Sequence, residues 1–220
     1  KMKKITCFLF LNMAFCHICF AQNSPILRTS IGAEKKLTKK ISFETKLETR
    51  YYSPEYKDAA VFNFFRLFEL GANYKITKQL SASAFYRYAL RKNNEFADFE
   101  GRNRYFVNLA HQTKFNKFKL NNRLRYQQQY RDNDELTELQ SSFLRYKLEG
   151  SYKINSKLNP YLATEFFYKT QTQKIDQLRA STGLNYKINK NNNIELGVFQ
   201  DYNNLGNGLF NLEMGYIFDF

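Results

Sequence analysis

The feature that most limits what this chain can fold into is a period-two alternation of apolar and charged residues. It recurs segment after segment and leaves almost no helical periodicity. The clearest stretch is Phe118 to Arg131. There Phe118, Leu120, Leu124, Tyr126 and Tyr130 fall on one face, and Lys119, Arg123, Arg125, Gln127, Gln129 and Arg131 on the other. Asn122 and Gln128 are the polar exceptions on the apolar face. Leu144–Ile154, Leu178–Ile188 and Phe210–Phe220 repeat the pattern. Each is a strand with two unlike faces.

A repeat organises these strands. Tyr74-Lys75-Ile76, Tyr152-Lys153-Ile154 and Tyr186-Lys187-Ile188 each precede a short polar turn, and similar turns follow Leu37 and Phe115. Strand ends then fall at 37, 76, 115, 154 and 188, spaced 39, 39, 39 and 34 residues. Every period reads as strand, short turn, strand, longer connection, the longer ones near 53–61, 92–101, 132–138, 170–175 and 203–208. A propeller blade has a similar period, but it needs four short strands with Gly- and Trp-based signatures, and this chain has no tryptophan.

A soluble sandwich also alternates, so the solvent of the apolar face needs a separate argument. The candidate strands run to about 10–14 residues, longer than the usual five or six and near the 9–11 that cross a bilayer when tilted. Short turns alternate with longer connections, as when one end is periplasmic and the other extracellular. Tyr51, Tyr52, Tyr74, Tyr152, Tyr186, Phe218 and Phe220 cluster near strand ends, where aromatic girdles sit. Lipid offers no hydrogen bonds, so such a sheet has to close. The expectation is an all-β fold: a transmembrane antiparallel meander barrel of about ten to twelve strands in the outer membrane. Eleven segments can be delimited, from 26–35 to 209–220. Because single-chain bacterial barrels normally have an even number, the expected count is ten or twelve.

Residues 1–21 read as a signal peptide, and 22–220 as the barrel domain. Lys1, Lys3 and Lys4 precede an apolar run, Ile5 to Phe20, that ends at Ala21-Gln22. The run is short for a spanning helix and is interrupted by Asn12 and His17. Phe15 and Ile18, ahead of Cys16 and Cys19, exclude a lipoprotein signal. All three cysteines lie in this segment, so the remainder has no thiol chemistry, and its single histidine, His111, makes metal and His-dependent sites poor candidates. No cofactor is expected. The net charge of +14 drops by three when the leading lysines go. Those cations alternate with apolar residues instead of gathering in a patch, which speaks against nucleic acid as a partner. The expected partners are outer-membrane lipid and the barrel-insertion machinery, the latter through the C-terminal strand ending at Phe220.

Tyr86-Arg87-Tyr88, Arg102-Asn103-Arg104, Arg123-Leu124-Arg125-Tyr126-Gln127 and Pro160-Tyr161 followed by Glu165-Phe166-Phe167 carry a resemblance. With the Tyr-Lys-Ile turns between them, they resemble a domain-of-unknown-function family of Gram-negative outer-membrane barrels. The resemblance spans nearly the whole chain after the leader; Asn103 between the paired arginines is a departure from it. It implies the fold and the location and brings no activity.

If the apolar face meets lipid, the charged face lines the interior. Its candidate residues are Arg87, Arg104, Arg123, Arg125, Arg145, Glu149, Glu165 and Arg179, with Glu44, Lys46, Glu48, Arg50, Glu69, Lys119, Lys147, Glu195 and Glu213 beside them. Pairing across strands would fill a narrow lumen, because a buried charge without a partner is costly. The alternative is a small pore or solute-binding barrel whose arginines favour anions. An enzyme is not expected. Its best form is a lipid-acting hydrolase at His111, Thr113 and Asn122, in which a turn at Asn116-Lys117 would set Asn122 opposite His111.

Overall fold

The computed structural model describes residues 26–51, 64–92, 99–132, 137–203 and 210–220. The expected signal peptide, Tyr52, and the connections 52–63, 93–98, 133–136 and 204–209 lie outside them. The described residues form eleven strands: β1 Ile26–Lys36, β2 Ile41–Tyr51, β3 Phe64–Lys75, β4 Leu80–Lys92, β5 Phe99–Phe115, β6 Phe118–Asp132, β7 Thr137–Tyr152, β8 Leu158–Lys169, β9 Lys174–Lys187, β10 Asn192–Asn203 and β11 Phe210–Asp219. Consecutive strands pair antiparallel, and β1 pairs with β11 to close the barrel.

That closure corrects the expected parity. β1 and β11 run parallel over nine register pairs, from Ile26↔Asn211 to Glu34↔Asp219. An even count is the habit of antiparallel closure, but the physical requirement is only that no edge be left open. A parallel ladder meets it. One consequence is that Ile26 begins β1 at the end of the barrel opposite Phe220, among the longer connections.

Strand boundaries also differ from the expected ones. β5 starts at Phe99, several residues early, and pairs Gly101 with Asp132 on β6. With β6 and β7 it makes the tall side of the barrel, at 17, 15 and 16 residues against 10–14 elsewhere. The connection expected near 170–175 is a four-residue turn at 170–173, with Gln173 at φ 53°. The turn at Asn116-Lys117 is the two-residue hairpin expected, with Asn116 at φ 55°, a left-handed conformation that asparagine tolerates.

Burial follows the alternation. Leu47, Phe68, Tyr105, Val107, Leu124, Leu144, Leu196 and Met214 point outward and are exposed, whereas Glu48, Arg125, Gln127, Arg145 and Glu165 are buried. This is the reverse of a water-soluble core, and it fits a sheet whose outer face is apolar and whose centre is polar. The two polar exceptions on the outer face of β6 are met by tyrosines. The Tyr146 hydroxyl donates to Asn122 (2.8 Å), and Gln128 bonds the hydroxyls of Tyr126 (3.1 Å) and Tyr130 (3.2 Å).

Candidate functional site: the barrel interior

Register decides which side chains share the interior. Glu69 on β3 faces Arg87 on β4, Arg87 faces Arg104 on β5, and Arg104 faces Gln129 on β6. Arg125 on β6 faces Arg145 on β7, and Glu165 on β8 faces Arg179 on β9. All eight candidate interior residues fall on this inward set.

At its centre is one carboxylate between two guanidiniums. Glu165, 4 % exposed, accepts from Arg145 Nε at 3.1 Å and Nη2 at 2.8 Å, and from Arg123 Nη2 at 2.8 Å. Arg145 also donates to Gln127 Oε1 at 2.9 Å. Breaking a buried cluster of this kind leaves a charge without compensation, which costs several kcal/mol in typical cases, ~3–5. Elsewhere Arg87 donates to Glu69 at 2.6 Å, Arg179 grips Asp201 through two bonds of 2.6 and 2.8 Å, and Glu149 pairs with Lys147 at 2.7 Å. Glu48 is held between Lys46 and Arg50.

Among the described residues, three arginines direct their hydrogen bonds to neutral amide oxygens. Arg104 donates through two nitrogens to the Gln129 amide oxygen, Arg125 to Asn108 Oδ1 at 2.6 Å, and Arg28 to Asn211 Oδ1 at 3.0 Å.

The interior also has an aromatic component, which the apolar and charged alternation does not single out. Phe106, Phe167 and Phe199 point inward and are buried, and each lies between two guanidiniums. Arg125 (4.0 Å) and Arg87 (5.6 Å) flank Phe106. Arg145 (4.1 Å) and Arg179 (5.3 Å) flank Phe167, and Arg179 (4.2 Å) and Arg28 (4.4 Å) flank Phe199. Stacking on a ring face is a favourable way to cover a flat, weakly hydrated cation. A signal existed: all three phenylalanines occupy the charged phase of their strands.

Nearer the short turns, Tyr161 lies over Gly183 and Gly197. A Cβ at these positions would stand 2.6 and 2.7 Å from the tyrosine hydroxyl oxygen, so only glycine leaves room for the ring. A cavity of about 160 Å³ opens in the same half, lined by Glu34, Glu44, Lys46, Glu69 and Phe85 among others.

The hydrolase residues take the expected register, His111 opposite Asn122 and Thr113 opposite Leu120. The Asn122 carboxamide oxygen accepts the Tyr146 hydroxyl at 2.8 Å.

A closed sheet with an apolar outside and an ion-paired inside defines a transmembrane β-barrel. The chain belongs to the family described as "Protein of unknown function (DUF2490)", whose model matches residues 29–211. Among solved structures its fold is similar to that of LpxR from Salmonella typhimurium, with a TM-score of 0.50 at 9% identity over 81% of this chain and 83% of that one. An anion-selective porin from Comamonas acidovorans aligns over 79% of this chain and 55% of its own, with a TM-score of 0.36 and 12% identity. No curated protein matches the chain.

Proposed function

We propose that this protein resides in the outer membrane as a closed, non-conducting barrel, and that its role is exercised at its surface instead of by passage of solutes. The observation that carries this reading is the belt of arginines and phenylalanines across the interior. Its members sit on β1 and on β4 to β10, tied by the Glu165 cluster and the Arg179–Asp201 pair. Side chains that bond and stack on one another do not leave the continuous wet path that conduction needs. Insertion would proceed through the C-terminal strand, whose outward residues Met214, Tyr216, Phe218 and Phe220 give the membrane machinery an alternating apolar edge.

Planar-bilayer recording of the purified protein tests the proposal, with fractionation as its companion. The expected result is recovery from the outer membrane with heat-modifiable gel migration and no unitary conductance. Anion-selective steps from the wild type would favour the pore reading over this one. Recovery as a soluble periplasmic protein would end both.

A further inference from the structure

Lysines that are dispersed along the sequence are gathered by the hairpins into one rim. The five short-turn segments, 36–40, 75–79, 114–119, 153–157 and 187–191, carry twelve lysines and no aspartate or glutamate. Eleven of the twelve are exposed and Lys119 is half-buried. Neighbouring hairpins meet through them. The Lys75, Lys153 and Lys187 amides donate to the carbonyls of Lys40, Lys117 and Lys157, each at 2.8 Å, and Lys114 faces Lys119 across β5 and β6. Like charges placed this way are unfavourable unless compensated. Among the described residues none of the twelve is ion-paired, and Glu44, which faces the same end from inside, accepts from Asn73 at 2.7 Å. The opposite end differs: there Arg50, Arg102 and Arg131 pair with Glu48 and Glu100.

Each of the five segments also exposes a large apolar side chain beside its lysines: Leu37, Ile76, Phe115, Ile154 and Ile188. We propose that this rim binds the headgroups of anionic phospholipids in the leaflet at the short-turn end. The apolar residue sits at the acyl boundary, and the lysine stem runs along it to carry the ammonium to the phosphate layer. The distribution favours lipid over an acidic protein. The charge recurs on every short turn around the circumference, always with an apolar neighbour, whereas a protein partner covers one side. The inference rests on the membrane reading above and deepens it by naming the charge class of the lipid.

The test reconstitutes the protein in phosphatidylcholine bilayers with trace spin-labelled phosphatidylglycerol or spin-labelled phosphatidylcholine. The motionally restricted fraction of each label reads its association with the barrel. Phosphatidylglycerol should be favoured about two- to fivefold at low salt, and less at high salt. Replacing one exposed lysine per turn (Lys39→Gln, Lys78→Gln, Lys117→Gln, Lys157→Gln and Lys190→Gln together) should roughly halve the preference, and Lys78→Gln/Lys157→Gln should lower it by less. Lys169→Gln/Lys174→Gln, at the opposite end, should leave it unchanged. Equal restriction of the two lipids by the wild type overturns the proposal and leaves the rim to an acidic periplasmic partner. So does an undiminished preference in the five-lysine variant. Heat-modifiable migration of the same samples separates the two readings. A barrel that folds in neutral bilayers without lipid preference loses this inference alone, whereas a chain that does not enter bilayers loses the membrane reading with it.

Discussion

Arg125 and Arg145 are directly opposed across β6 and β7, two like charges in register inside the barrel. They coexist because each turns to different company. Arg145 binds Glu165 and Gln127 and stacks on Phe167; Arg125 binds Asn108 and stacks on Phe106. The interior is thus built from cations spaced by aromatic rings, with a few shared carboxylates.

Glu165 is the carboxylate on which that arrangement leans most. Glu165→Gln keeps the shape but leaves Arg145 and Arg123 without a counter-charge, and the expected loss is ~3–5 kcal/mol, the range for a broken buried pair. Heat-modifiable gel migration and urea melts of the refolded barrel read it. Restoring a carboxylate nearby with Gln127→Glu, the amide that already accepts from Arg145, should recover a substantial part.

Gly183 gives a packing prediction. In Gly183→Ala the new methyl would meet the Tyr161 ring and the Leu196 carbonyl oxygen, so stability should fall by about 1–3 kcal/mol, as for other overpacked sites. Adding Tyr161→Ala relieves only the side-chain clash. The double variant should therefore show a partial rescue in a melt, and strict additivity would contradict the contact.

The alternation of β6 made the two faces, and so the interior set, legible from residues 118–131 alone. The hairpin at Asn116-Lys117 was legible as well, because asparagine tolerates the left-handed turn. Closure was not. Which strand lies beside Ile26 is a long-range choice that leaves no local mark, and an even count describes most barrels without being required by hydrogen bonding. The polar, threonine-rich stretch at 170–175 looked like a loop by composition, yet pairing of Tyr168 with Ile175 across a β-bulge leaves only a four-residue turn. Phe106, Phe167 and Phe199 were hidden for a related reason: hydrophobicity says that a ring avoids water, and a guanidinium plane can exclude water as well as lipid can.

The parallel seam makes a direct prediction about closure. Thr29 and Met214 are register partners on the same outward face. In a protein of residues 22–220, which holds no cysteine of its own, Thr29→Cys/Met214→Cys should form an intramolecular disulfide on mild oxidation, because paired strands bring the Cα atoms within bridging range. A shifted non-reducing band on gels of the heat-denatured protein is the expected outcome. Failure to cross-link, in a protein that remains heat-modifiable, would mean that the barrel closes differently.

The central claim is that the apolar face of every strand meets lipid while the charged face is packed inside. A spin-label scan along β6 in reconstituted bilayers, from Leu120 to Gln127, tests it most directly. The account predicts a period of two: collisions with oxygen are high at Leu120, Leu124 and Tyr126, whereas labels at Asn121, Arg123, Arg125 and Gln127 are immobilised and reached poorly by oxygen. Uniform exposure to a water-soluble relaxant, or the opposite phase, would contradict it.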